Sequence, residues 1–134
     1  MLGEQIGEGH GRRTARRVVR VDAPFQVEVS FEDQGTLLGV AGMNIGTYTS
    51  EPKPDGNLHG LGQGVFASLE GEMVTWKAIG VGKFLAGGSV RYVGAISYTT
   101  SSAKLARLNG LAGVFEFETD AEGKATSSKT WAWE

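Results

Sequence analysis

Glycine falls at every second position in Gly60-Leu61-Gly62-Gln63-Gly64, and the pattern returns in Gly80-Val81-Gly82. No helix tolerates that spacing, because each interior glycine costs roughly 1 kcal/mol against alanine. A strongly coiled sheet uses it, because glycine permits kinks and close backbone approach. The surrounding stretch, Gly56 to Ser102, holds three β-like runs. They are joined by the turn signals Leu69-Glu70-Gly71-Glu72 and Ala86-Gly87-Gly88-Ser89. The rest of the chain is organised around these three runs.

A length of 134 residues fits one domain spanning 1–134. Apolar residues at 40% and charged residues at 21% exclude a disordered chain. The 21 glycines follow no collagen period and sit among β-branched residues, so they report sheet geometry. A net charge of -2 gives no overall attraction to nucleic acid or to an anionic membrane. There is no cysteine, which removes thiolate catalysis and thiolate-based zinc sites. Residues 1–11 carry acidic side chains and no apolar core of a secretory signal. No apolar run approaches the roughly 18 residues of a membrane span. The expectation is a soluble cytoplasmic protein.

The first strand is expected over 4–21, ended by Asp22-Ala23-Pro24. Phe25 to Glu32 then alternates cleanly, with Phe25, Val27, Val29 and Phe31 on one face and Gln26, Glu28, Ser30 and Glu32 on the other. Asp33-Gln34-Gly35 reads as a turn or bulge. A third run covers about Leu37 to Ser50, bent at Gly39 and Gly42. Pro52, Pro54 and Asp55-Gly56 make a longer hairpin loop. Strands follow at 57–69, 72–85 and 89–101. Ser102 to Asn109 has helical spacing, with Ser102 as N-cap and Gly110 as C-cap. Strands at 111–119 and 124–133 flank Asp120-Ala121-Glu122-Gly123. Eight strands with short links must be antiparallel. The architecture expected is an eight-stranded up-and-down barrel with one short helical turn before the seventh strand. A two-sheet sandwich is the rival.

The alternation places Val74, Trp76, Ala78, Gly80, Gly82 and Phe84 inside from the fifth strand, and Val90, Tyr92, Gly94, Ile96 and Tyr98 from the sixth. Phe115 and Phe117 follow from the seventh, and Trp131 and Trp133 from the last. An eight-stranded barrel is either filled by side chains or holds one small ligand. The inward glycines Gly60, Gly62, Gly64, Gly80 and Gly82 should thin the wall or leave lumen beside them. A ligand site of ordinary size would need about 300 Å³ or more. In Gly11-Arg12-Arg13-Thr14-Ala15-Arg16-Arg17-Val18-Val19-Arg20, strand periodicity groups Arg13 and Arg17 with Val19 and Val21. Arg17 is thus a candidate partner for a ligand carboxylate. The alternative has all five arginines solvated or paired across to Glu28 and Glu32. His10 and His59 lack metal-ligand spacing, and no cofactor or metal motif is present. Glu116 and Glu118 should face out. On the outer face of the fifth and sixth strands, Met73, Ile79, Val81, Val93 and Ala95 form an apolar patch suited to a homodimer or other homo-oligomer. Otherwise the turn near Leu105 and Leu108 covers it.

Lys83-Phe84-Leu85-Ala86-Gly87-Gly88-Ser89-Val90-Arg91-Tyr92-Val93-Gly94-Ala95 is similar to the F-x-G-G-x-G-R-Y/F-x-G-A stretch of allene oxide cyclase-like and dirigent-like barrels, with Val90 where the pattern has glycine. Leu105 to Gly113 resembles the L-x-G-L-x-G element of small bacterial calycin-like barrels. The resemblance covers the C-terminal half and implies a barrel whose lumen takes a small apolar molecule. It implies no catalytic residue. Trp76, Tyr92, Tyr98 and Trp131 would wall the ligand site, with Arg17 at its polar end. Two other classes stay open: an isomerase or cyclase acting by shape, and a structural or interaction protein with a filled core.

Overall fold

Alternating runs separated by short polar links produce a sheet in which each strand pairs with the next. The strands are β1 (Leu2–Arg20), β2 (Gln26–Leu37), β3 (Val40–Pro52), β4 (Leu58–Ser68), β5 (Met73–Phe84), β6 (Val90–Thr100), β7 (Ala112–Thr119) and β8 (Ala125–Trp133). They close into one antiparallel up-and-down barrel in sequence order. The computed structural model describes residues 1–134. β1 completes the ring against β8, from Leu2 opposite Trp133 to Arg12 opposite Ala125. Closure leaves those ladders without a free edge. Beyond Arg13, β1 runs on to Arg20 paired with β2 alone.

One boundary differs from the sequence pattern. Asp33-Gln34-Gly35 does not turn; β2 continues through it to Leu37, in unbroken register with β3. The turn is Leu38-Gly39, at φ 49 and 77. Two consecutive positive φ values are what a two-residue hairpin requires to match strand twist. Gly39 is therefore the turn itself and not a bend within β3.

The link from β6 to β7 closes one end of the barrel. A single 3-10 turn at Ala106–Gly110 drives Leu105 and Leu108 into the barrel end, both at 0% exposure. Asn109 holds this plug to β6, its Oδ1 accepting from the Thr100 N–H at 2.8 Å and its Nδ2 donating to the Thr100 carbonyl at 2.9 Å. Ser102 does not cap the turn. Its hydroxyl donates to Glu72 at 2.6 Å, and the turn has no side-chain N-cap. Gly110 is the last residue of the turn, and Leu111 follows in extended conformation.

Three of the inward glycines, Gly60, Gly62 and Gly80, line the lumen as the spacing predicted, whereas aromatic rings fill the space beside Gly64 and Gly82. A methyl group on Gly64 would sit 2.4 Å from Trp76 Cζ2 and 2.5 Å from the Ile45 carbonyl oxygen. On Gly46 it would meet Phe31 at 2.5 Å and Trp76 at 2.8 Å, and on Gly82 it would meet Tyr92 at 2.6 Å. Large rings in a narrow barrel need neighbours without side chains, and the glycine string supplies them. Two aromatics placed inside by the alternation lie beyond the barrel ends instead: Phe25 is 49% exposed and Phe84 is 64% exposed. In β8 the inward set is Thr126, Ser128, Thr130 and Ala132, so Trp131 and Trp133 point outward. Alternation in β8 has two possible phases, and the heavier residues drew the wrong one. The pairing with β7 sets the choice: Ala132, fully buried, lies opposite buried Gly113.

On the outside, Leu61, Ile79, Ala95, Val114 and Trp131 stand opposite one another in register across β4 to β8. Strands lie about 4.8 Å apart, so this apolar row spans about 19 Å. The Leu105–Leu108 turn enters the barrel end and does not cover the wall; Ile79 stays 52% exposed.

Gly64→Ala should lower the denaturant midpoint by the equivalent of roughly 1–3 kcal/mol, the range for overpacking a core. Gly110→Ala, which meets nothing within 4 Å, should shift it by less than about 0.5 kcal/mol. Equal effects from the two would contradict the ring-over-glycine packing.

Candidate functional site

The lumen is a cavity of about 130 Å³. Its walls include Phe31, Tyr48, Phe66, Trp76, Tyr92 and Phe117. This is well under the roughly 300 Å³ of an ordinary ligand pocket. It is close to the roughly 150 Å³ of an engineered cavity that admits benzene. A compact molecule fits; a long chain does not.

The rings form one continuous cluster. Phe31 lies 5.0 Å from Phe117, 6.0 Å from Tyr48 and 6.3 Å from Trp76, centroid to centroid. Tyr48 in turn lies 5.5 Å from Tyr92 and 5.7 Å from Phe117. All five pairs are tilted or edge-on, the arrangement that ring quadrupoles favour.

Through this apolar wall runs one polar line. The Trp76 Nε1–H donates to Asn44 Oδ1 at 2.8 Å, and Asn44 Nδ2 donates to Asp33 Oδ2 at 3.4 Å. Asp33 lines the cavity and is 8% exposed. It is there because β2 continues in register past Phe31, which keeps Asp33 on the inward face opposite Asn44. Gly9 leaves room for the carboxyl; a methyl group there would lie 2.8 Å from Asp33 Oδ1. Burial raises the pKa of Asp33, with Asn44 and the charge of His10 opposing. An acid held this way is a hydrogen-bonding and proton-exchanging group inside an apolar chamber.

The three tyrosines behave alike. Burial pushes Tyr98 up to about 12, opposed by Thr130. It also raises Tyr92, opposed by the hydrogen bond with Ser50, whose hydroxyl lies 2.7 Å from the phenol oxygen. Tyr48 is raised by burial and then by the neighbouring Tyr92, with Arg13 opposing. At neutral pH all three are neutral phenols.

Of the residues expected to form the site, Trp76, Tyr92 and Tyr98 line the cavity together. Trp131 does not; it stands in the outer apolar row beside Val114 and Gln5. Arg17 also points out, with its guanidinium 3.4 Å from Glu28. The cause is a bulge between Arg13 and Ala15, which reverses the strand phase so that Arg13 pairs with Phe31 while Arg17 pairs with Glu28. Arg13, before the bulge, shares the inward phase of Phe31, and Arg16, after it, that of Val29. Arg13 reaches the β7–β8 turn, where a methyl group on Gly123 would collide with its Nη1. Arg12 lies 3.9 Å from Glu32, as the outward reading of the run expected. Glu116 also faces out, 2.8 Å from Arg91.

Asp33, Asn44 and Tyr48 join the cavity wall without being among the residues the sequence pattern singles out. Extending the Phe25–Phe31 alternation two residues further would have found Asp33. Gly42 and Gly46 share a face with Asn44 and Tyr48, which was the available signal for the other two. No three His, Asp or Glu side chains come together in a way that could hold a metal ion. No helix is long and apolar enough to cross a membrane.

The barrel is similar to several solved structures. A β-barrel-like protein from Acinetobacter baumannii AYE superposes with a TM-score of 0.83 at 13% identity, covering 100% of this chain and 96% of that one. A protein of unknown function from Clostridium acetobutylicum gives 0.82 at 9%, covering 97% and 95%. An enzyme from Penicillium herquei gives 0.65 at 14%, covering 96% and 92%. At these identities the likeness establishes the fold alone. No protein-family model and no curated protein matches the sequence.

The buried acid and phenols set the pH dependence of stability. Each has a folded pKa above its unfolded value, so each contributes stability at low pH that is lost as pH rises through the folded value. For Asp33 that loss begins above 3.8. Asp33→Asn should therefore be at least as stable as the parent at pH 7, with the gap narrowing on acidification. For Tyr98 the loss runs from 10.0 to about 12. Phenolate absorbance should thus appear together with alkaline unfolding rather than before it. A phenolate signal near pH 10 from a fully folded barrel would contradict the buried placement.

Proposed function

We propose that the protein binds one compact, largely apolar small molecule in its lumen. The observation that carries this reading is the roughly 130 Å³ aromatic cavity with an acid, Asp33, on its wall. A structural core of this size has no need of a buried, thinly bonded carboxyl, which costs stability. A binding chamber uses a few polar groups in an apolar wall to orient its ligand. The resemblance of the β5–β6 hairpin to allene oxide cyclase-like barrels supports the same reading.

The isomerase or cyclase reading draws on one observation, the acid itself. General acid–base catalysis asks for a carboxyl with raised pKa beside the substrate, and Asp33 meets that description. The Penicillium herquei protein is described as an enzyme. The binding reading requires less of the site, and we prefer it.

For the outer wall we propose a second copy of the chain. The apolar row from Leu61 to Trp131 is continuous over five strands, exposed at Leu61, Ile79 and Ala95 and half-buried at Val114 and Trp131, and closed twofold dimers are the commonest use of such a surface.

Benzene should shift the Trp76 indole Nε1–H resonance saturably, and naphthalene should not, because of its size. Gly62→Leu should abolish the benzene response, since a methyl group on Gly62 already lies 3.4 Å from Trp76 and from Tyr48. An unresponsive indole with every compact probe would refute lumen binding. Light scattering at tens of micromolar should give a dimer that Ile79→Lys with Val93→Glu converts to monomer. A monomeric parent would refute the interface.

A further inference from the structure

We infer that the lumen is built to take a small organic cation, an alkylammonium, with Asp33 as its counter-charge and the Phe31, Tyr48, Trp76, Tyr92 and Phe117 rings as its walls. The inference rests on the lumen-binding reading above and adds the charge of the ligand.

The first argument is acceptor capacity. A carboxylate offers about four acceptor positions. Asp33 receives one side-chain donor, Asn44, and at 3.4 Å that bond is long. Asn44 is already committed on its other side to the Trp76 indole. The carboxyl is buried, lines the cavity and retains most of its acceptor capacity. Its complement is a group rich in N–H donors.

The second argument is the balance of charge. The charged residues that line the cavity, Asp33 and Glu8, are both acidic, and Asp33 is the buried one. The cations on β1 act on the lumen from its margin, His10 on Asp33 and Arg13 on Tyr48, and neither lines it. His10 is on the outer surface, 3.3 Å from Glu8, and Arg13 reaches away to the β7–β8 turn. The hydroxyls nearby are neutral, and Tyr92 is already engaged with Ser50. Among the residues that line it, the chamber therefore carries negative charge and no cation.

The third argument is the wall. Aromatic faces carry the negative end of the ring quadrupole, and a cation within about 6 Å of a ring centroid is attracted to it. Five rings with neighbouring centroids 5.0 to 6.3 Å apart surround the cavity. A ring cluster holding one buried acid is selective for a desolvated cation over a neutral molecule of the same shape. It disfavours an anion, which would face both the acid and the ring faces. The burial that raises Asp33's pKa is the same desolvation that a bound cation would offset.

The test uses three probes of one shape: tert-butylammonium, tert-butanol and pivalate. Binding to the full chain at pH 7 is read from the Trp76 Nε1–H resonance, which reports on the bond to Asn44. We expect tert-butylammonium to bind about tenfold tighter than tert-butanol, the order that charge-assisted and cation–π contacts supply together. Pivalate should bind weakest. In Asp33→Asn, an isosteric change, the ammonium and the alcohol should bind within about twofold of each other. Alcohol or pivalate binding as tightly as the ammonium in the parent overturns the cation inference and leaves lumen binding standing. An ammonium preference that persists in Asp33→Asn overturns the role of Asp33. No binding of any probe overturns lumen binding and this inference with it. The parent series stands whether or not the variant folds.

Discussion

The packing of the Trp76 ring against β3 and β4 is the contact on which the rest of the lumen depends. The indole lies over Gly46, Gly62 and Gly64, and its Nε1–H fixes Asn44. A narrow eight-stranded barrel has room for a tryptophan only where the opposing wall has no side chains. Once the ring is flat against that wall, the remaining space is the cavity beside it, bounded by Phe31 and Tyr48. Asn44 then turns its amide toward Asp33. A single aromatic residue thus determines the shape of the chamber and the orientation of its polar groups.

The two barrel ends follow different rules. One is sealed by Leu105 and Leu108, pinned by Asn109 to β6. Ion pairs tie the same loop to its surroundings: Lys104 lies 3.6 Å from Glu70, and Arg107 pairs with Glu4 and lies 3.9 Å from Glu134. Exposed pairs of this kind are each worth little, so the seal rests on the two leucines. The other end carries the long β1–β2 ribbon, whose arginines pair along the outer face with Glu28, Glu32 and Glu51. Arg13 and, beyond the bulge, Arg16 stand opposite the inward residues Phe31 and Val29 there. Access to the lumen and its electrostatic character are therefore set by different parts of the chain.

Burial of one acid and three phenols within an apolar cavity has a definite energetic sense. Desolvation disfavours their charged forms. The phenols lose nothing by this at neutral pH, because they are neutral in either state. Asp33 does, and its single amide donor is a modest compensation. A residue that weakens the fold at the centre of a cavity is where structure points to function rather than to stability.

The fold class was legible in the chain because period-two alternation and short links leave few alternatives to an antiparallel meander. Strand number, the single helical turn and the inward placement of Trp76, Tyr92 and Tyr98 follow from the same pattern. Closure over a sandwich, and the filling of the glycine-lined wall by rings, required the three-dimensional pairing. The phase of β8 was decided by what its neighbours need at the barrel end, which put Trp131 outside although its bulk argued for the inside. The phase of β1 was decided by a bulge after Arg13, and one unpaired residue moves every following side chain to the opposite face. That is why Arg17 pairs with Glu28 and Arg13 faces in. Asp33 looked like a turn residue because Asp and Gly favour turns locally. The register with β3 overrode that preference. Local chemistry determined which residues alternate; only the closed sheet determined which side of the wall each one faces.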